Sequence, residues 1–148
     1  MLLQADDCQL VLIDYQARLM PAMHGSEAVL ANAHRLAELA TALDVPVWGT
    51  AQIPDKLGVL DPALARYCRQ VVDKSSFSAA EVLQPLLAPA APAPRGNARS
   101  LPRHLQKKAA ADEPERGALV LAGCETHVCL LQTALGLLEL DWDVWVVT

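Results

Sequence analysis

Aromatic side chains are scarce, with one Phe, two Tyr and three Trp among 148 residues, so any core must be built from Leu, Ala and Val. Basic residues are outnumbered, 12 Lys+Arg against 17 Asp+Glu, and the formal charge of −5 argues against a nucleic-acid-binding module. Phosphate-cradling glycine patterns are absent: there is neither a G-x-G-x-x-G nor a G-x-x-x-x-G-K-[ST] stretch, and no serine sits in a G-x-S-x-G elbow. Long apolar runs are also missing. The longest, 128–140, is broken by Gln132, Thr133 and Glu139, well short of the roughly 20 residues that span a bilayer. The first residues carry no basic segment and reach Asp6 and Asp7 at once, so no secretory signal is expected. Four cysteines (Cys8, Cys68, Cys124, Cys129) show no disulfide-scaffold spacing. The expectation is a cytoplasmic protein with reduced thiols and no membrane or nucleic-acid partner.

What is present is an apolar, foldable chain. Hydrophobic residues make up 53% and charged residues 20%, and 1–148 reads as a single domain. Apolar segments at 10–13, 45–49, 70–73, 118–122 and 144–147 read as strands. Helical spacing of apolar residues fills 27–44, with Ser26 as a candidate N-cap, and helices are expected at 62–68, 78–87 and 127–140. Residues 88–116 differ. Their Pro-Ala repeats and charged residues supply almost no core, so they read as a low-complexity insertion, with a short helix expected near 101–111. Strands apolar throughout and alternating with helices indicate a parallel sheet covered on both faces, a three-layer α/β/α arrangement of Rossmann-like type.

Such sheets carry their sites at the C-terminal ends of strands. Three reactive positions fall there: Asp14 after the first strand, Lys74 after the third, and the turn 123–129 after the fourth. Cys129 stands at a helix start, where unpaired N–H groups and the helix dipole favour a thiolate, and a nearby lysine would favour it further. Free cysteines are more often packing residues. Asp14 equally suits a turn cap, and Lys74 a solvated strand end. The spacing Cys124-x-x-His127-x-Cys129 lacks a second ligand pair, so no metal and no other cofactor is expected. Tyr15, Gln16, Trp48, Gln52, Phe77 and His127 are the candidates for a substrate pocket, and Trp142 and Trp145 for packing.

Four stretches, in order, resemble the isochorismatase-like cysteine hydrolases: VLIDYQARLMP at 11–21, TAQIPDKLG at 50–58, DKSSFS at 73–78, and GCETHVCLLQTA at 123–134. The resemblance covers most of the chain outside 88–116. It implies an Asp-Lys-Cys catalytic triad at Asp14, Lys74 and Cys129. It also implies a cis peptide at Cys124–Glu125, whose turn aims the N–H groups of Glu125 and Cys129 at an oxyanion. The segment 51–58 has no histidine for the metal cluster of nicotinamidases, and true isochorismatases lack the cysteine found at 129. The reading that remains is a hydrolase of small amide-type substrates, working through a thioester. Family chains continue past the strand where this one stops, so the fold is expected to be C-terminally short. Exposed apolar surface there would favour homo-oligomers. The alternative is a degenerate, non-catalytic domain serving as a scaffold.

Overall fold

In the computed structural model, residues 2–87 and 116–148 are described. The reading of an insertion at 88–116 and of a helix near 101–111 therefore lies outside them, apart from Arg116. Five strands form one sheet: β1 (Cys8–Ile13), β2 (Val47–Gln52), β3 (Gln70–Lys74), β4 (Ala118–Gly123) and β5 (Asp143–Val146). All pairings are parallel, in the order β3-β2-β1-β4-β5. The central strand β1, CQLVLI, is buried at every position, as a strand covered on both faces requires.

Strand alternation divides the core in two. Leu10 and Leu12 face one layer, where they meet Ala33, Ala37 and Ala40 of α1 (Ser26–Ala42), while Leu64 of a short helix α3 (Pro62–Ala65) completes that side. Val11 and Ile13 face the other, packing with Leu83 of α4 (Ala80–Leu87) and Leu137 of α5 (Leu131–Leu138). The architecture is thus the expected three-layer α/β/α sandwich. A further short helix, α2 (Pro54–Leu57), follows β2. Among the described residues, no helix is long and apolar enough to cross a membrane.

Several local details differ from the sequence reading. Gly25, with φ of 63°, occupies the cap position of α1, and Ser26 is the first helical residue. Glycine takes that left-handed conformation without the Cβ clash that a serine would meet. The helix after β4 does not begin as an α-helix. Residues Thr126–Leu130 form a π-helical turn, and regular α-geometry starts only at Leu131.

The sheet order reverses direction at β1, with β2 on one side and β4 on the other. This opens a crevice beyond the C-terminal ends of those strands. There β1 and β4 approach closely: a Cβ on Gly123 would stand 2.2 Å from the Ile13 carbonyl oxygen. At the opposite end of the sheet, buried Gln9 donates from Nε2 to the carbonyls of Leu87 and Arg116, each at 3.2 Å. One side chain thereby ties together the two flanks of residues 88–115.

Candidate active site

The crevice is furnished from three strand ends. Asp14 follows β1 directly, with φ of 54°, a conformation that Asp tolerates better than most residues. Its carboxylate is fully buried. Thr50, paired in register with Ile13, donates its hydroxyl to Asp14 Oδ1 at 2.7 Å. Lys74 ends β3, and its ammonium lies 2.7 Å from Asp14 Oδ2, both side chains having no solvent exposure. That contact is close but bent away from hydrogen-bond geometry. Among the described residues, Oδ2 is the buried side-chain oxygen with no donor aligned on it. At this distance in a buried setting the charge attraction holds whatever the angle. Lys74 Nζ also donates to Gln52 Oε1 at 2.6 Å and to the carbonyls of Ser76 and Phe77 at 3.2 and 3.1 Å.

Cys129 sits in the π-helical turn with 6% of its surface exposed. Burial pushes its thiol up from 9.0 to about 11; the Asp14 carboxylate adds to the rise, and Lys74 opposes it. Both members of the ion pair therefore act electrostatically on the sulfur. The sequence reading favoured a thiolate, from the helix start and the lysine. In the fold, desolvation and the carboxylate outweigh them, and the thiol keeps its proton near neutral pH.

The peptide bond Cys124–Glu125 is cis. Cys124 is buried against the α1 layer, whereas Cys129 belongs to the α5 layer, so the two sulfurs of the Cys-x-x-His-x-Cys stretch face different cores. Among the described residues, no group of three or more His, Cys, Asp or Glu side chains is placed to hold a metal ion. A cavity of about 300 Å³ opens beside this turn, lined by Met23, His24, Cys124, Glu125, Thr126 and His127.

The other pocket candidates part company. Gln16 and Gln52 are buried and hydrogen-bonded to each other, Gln52 N donating to Gln16 Oε1 at 2.8 Å. Tyr15 is buried in the α1-side core, where desolvation, with a smaller contribution from Cys124, pushes its phenol up. Phe77 is 58% exposed and offers Lys74 its backbone carbonyl rather than its ring. Trp48 lies near the start of β2, at the other end of the sheet, where its indole N–H donates to Gln9 Oε1 at 2.9 Å. Thr50 was not singled out from the sequence. The sequence reading ended that strand at 49, whereas β2 runs on to Gln52 and sets the hydroxyl one register step from Asp14.

Comparison with known proteins places the chain in a family. A family model for the isochorismatase domain covers residues 8–148. Isochorismatase domain-containing protein 2A of Mus musculus is 32% identical over 138 residues, which is 93% of this chain and 56% of that protein. The secreted isochorismatase effector Isc1 of Phytophthora sojae is 31% identical over 125 residues, 81% of this chain and 50% of its own. The chain thus spans about half the length of these relatives. Among solved structures, the MAR1 ribonuclease from Caenorhabditis elegans superposes with a TM-score of 0.76 at 23% identity, over 99% of this chain and 65% of that one. The Escherichia coli YcaC gene product, an octameric hydrolase of unknown specificity, gives 0.72 at 22% identity, over 98% and 63%. These two share the fold. With the family model spanning nearly its whole length, the chain belongs to the isochorismatase-like family.

Proposed function

We propose that this chain is a cysteine hydrolase acting on a small amide-type substrate, with Asp14, Lys74 and Cys129 as its catalytic residues. The observation that carries this reading is the fully buried Asp14–Lys74 ion pair at 2.7 Å with the Cys129 thiol under the influence of both charges. A thiol held protonated beside a carboxylate needs a base at the moment of attack, and Asp14 is placed to be that base.

In the first half of the reaction, Asp14 takes the Cys129 proton as sulfur adds to the substrate carbonyl carbon. The C–S bond forms, and the carbonyl electrons move onto oxygen, toward the backbone N–H groups of Glu125 and Cys129. Preorganised donors at such a position stabilise the developing charge. Collapse of this intermediate breaks the C–N bond, and the amine leaves with the proton from Asp14. In the second half, water gives a proton to Asp14 and adds to the thioester. The C–S bond then breaks, the acid departs, and Cys129 recovers its proton. Lys74 keeps a positive charge beside the carboxylate and sulfur throughout.

The test is hydrolysis of a panel of small amides and esters by the wild-type chain and by Cys129→Ala. Turnover is expected from the wild type and none from the variant. Equal turnover by both would overturn the assignment.

A further inference from the structure

The triad explains Asp14, Lys74 and Cys129 but not the two buried glutamines beside them. Gln52 and Lys74 are register partners on adjacent strands. Gln52 is 6% exposed and Gln16 fully buried, positions where an apolar side chain would need no hydrogen-bond partner. Both ends of the Gln52 carboxamide are committed. Nε2 donates to the Ser75 carbonyl at 3.0 Å, which turns Oε1 toward Lys74 Nζ at 2.6 Å. Gln16 in turn brackets the Gln52 main chain. It accepts from Gln52 N at 2.8 Å and donates to the Gln52 carbonyl at 3.0 Å, and to the Gly58 carbonyl as well.

We propose that Gln52 is a positioning residue, whose carboxamide oxygen, locked by Ser75 and Gln16, holds the Lys74 ammonium over Asp14 and Cys129. An ammonium has three protons. Here it meets four oxygens: Asp14 Oδ2, Gln52 Oε1 and the Ser76 and Phe77 carbonyls. Only the first carries charge. A neutral acceptor at position 52 fixes the lysine without cancelling its charge a second time, so that charge stays available to the sulfur. A glutamate there would bind the ammonium equally well and weaken its effect on Cys129.

This inference rests on the triad reading, and one experiment separates the two. Second-order alkylation of Cys129 by iodoacetamide is followed from pH 6 to 9, where the rate below the thiol's midpoint changes tenfold for each unit that midpoint moves, with peptide mapping to distinguish it from Cys8, Cys68 and Cys124. The charged groups acting on this thiol are Asp14 from the end of β1 and Lys74 from the end of β3. Cys124, on the β4 side, is itself influenced by Glu125 and Asp14, and Tyr15 by Cys124, and none of these is altered. Gln52→Met removes the acceptor, and Gln52→Glu keeps it but adds a negative charge. Both are expected to move the alkylation midpoint upward by about one pH unit and to slow the reaction at pH 7 about tenfold. Gln9→Met, which removes another buried glutamine at the far end of the sheet, should leave the midpoint in place.

If Lys74→Met slows alkylation while both Gln52 variants retain the wild-type midpoint, the role given to Gln52 is wrong and the triad stands. If Lys74→Met leaves Cys129 reactivity unchanged, both readings fall. Should Lys74→Met not fold, Gln52→Glu alone decides: an unmoved midpoint in the folded variant overturns the inference.

Discussion

Thr50→Val tests the burial of the site most directly, because it keeps shape and removes a single hydroxyl. In the wild type that hydroxyl donates to Asp14 Oδ1 at 2.7 Å, and neither residue is exposed to solvent. A hydrogen bond to a charged acceptor contributes about 1.5–3 kcal/mol, and water cannot replace it at a closed site. For a domain of this size, each kcal/mol corresponds to roughly 3–5 °C in melting temperature. The variant should therefore melt roughly 5–15 °C lower by calorimetry or circular dichroism. Thr41→Val is the matching control. Thr41 donates to the neutral Ala37 carbonyl within α1 and is exposed, so its loss should cost no more than about 0.5 kcal/mol. A Thr50→Val melt within about 2 °C of wild type, or a loss equalled by Thr41→Val, would refute the claim that the carboxylate depends on this donor.

Two further outcomes follow from the same structure. Burial raises the thiols of both Cys68 and Cys129 from 9.0 to about 11, and those of Cys8 and Cys124 in the same direction. The unfolded chain loses these protons first, so unfolding free energy should fall as pH rises from about 9 to about 11, by roughly 2–3 kcal/mol for each of the two larger shifts. Urea midpoints across that range should decline, less steeply in Cys68→Ala, and a flat profile would contradict the burial. Gly123→Ala would place a methyl group 2.2 Å from the Ile13 carbonyl oxygen, a backbone atom that can move only if β1 and β4 separate. It should cost about 3 kcal/mol or more. Gly25→Ala, which meets nothing within 4 Å but keeps φ at 63°, should cost about 1–2 kcal/mol. Urea denaturation that ranked Gly25→Ala as the more damaging would reverse the argument.

How much of this was legible beforehand depended on whether a residue's role is set by its own strand or by a neighbouring one. CQLVLI and ALVLAG announce strands buried on both faces because their apolar runs are continuous, and Asp14 and Lys74 stand out where such runs end. Thr50 and Gln52 act across strands, through register with Ile13 and Lys74, and no spacing within β2 reveals that. Trp48 drew attention because aromatics are scarce. Yet period-two geometry and a six-residue strand place it four residues before the reactive end. The protonated state of Cys129 was hidden for a related reason. Helix start and lysine are visible in sequence, but the depth of burial and the carboxylate beside the sulfur come from β1, more than a hundred residues earlier.

The polar cluster in the crevice is hard to account for by stability. Replacing a buried ion pair with well-packed apolar residues is often neutral or stabilising by about 1–4 kcal/mol. In this sheet the surrounding positions are already Leu, Val, Ile and Ala. Holding Asp14 and Lys74 there takes a threonine hydroxyl, a glutamine carboxamide and two backbone carbonyls, and a second glutamine holds the first. Each of these groups is itself buried or committed, and none would be needed if the pair were absent. A fold selected only for a tight core would dispense with all of them. Their convergence on the strand ends at the topological switch, around a thiol on which both charges act, suits the chemistry proposed at Cys129, whereas packing alone does not call for it.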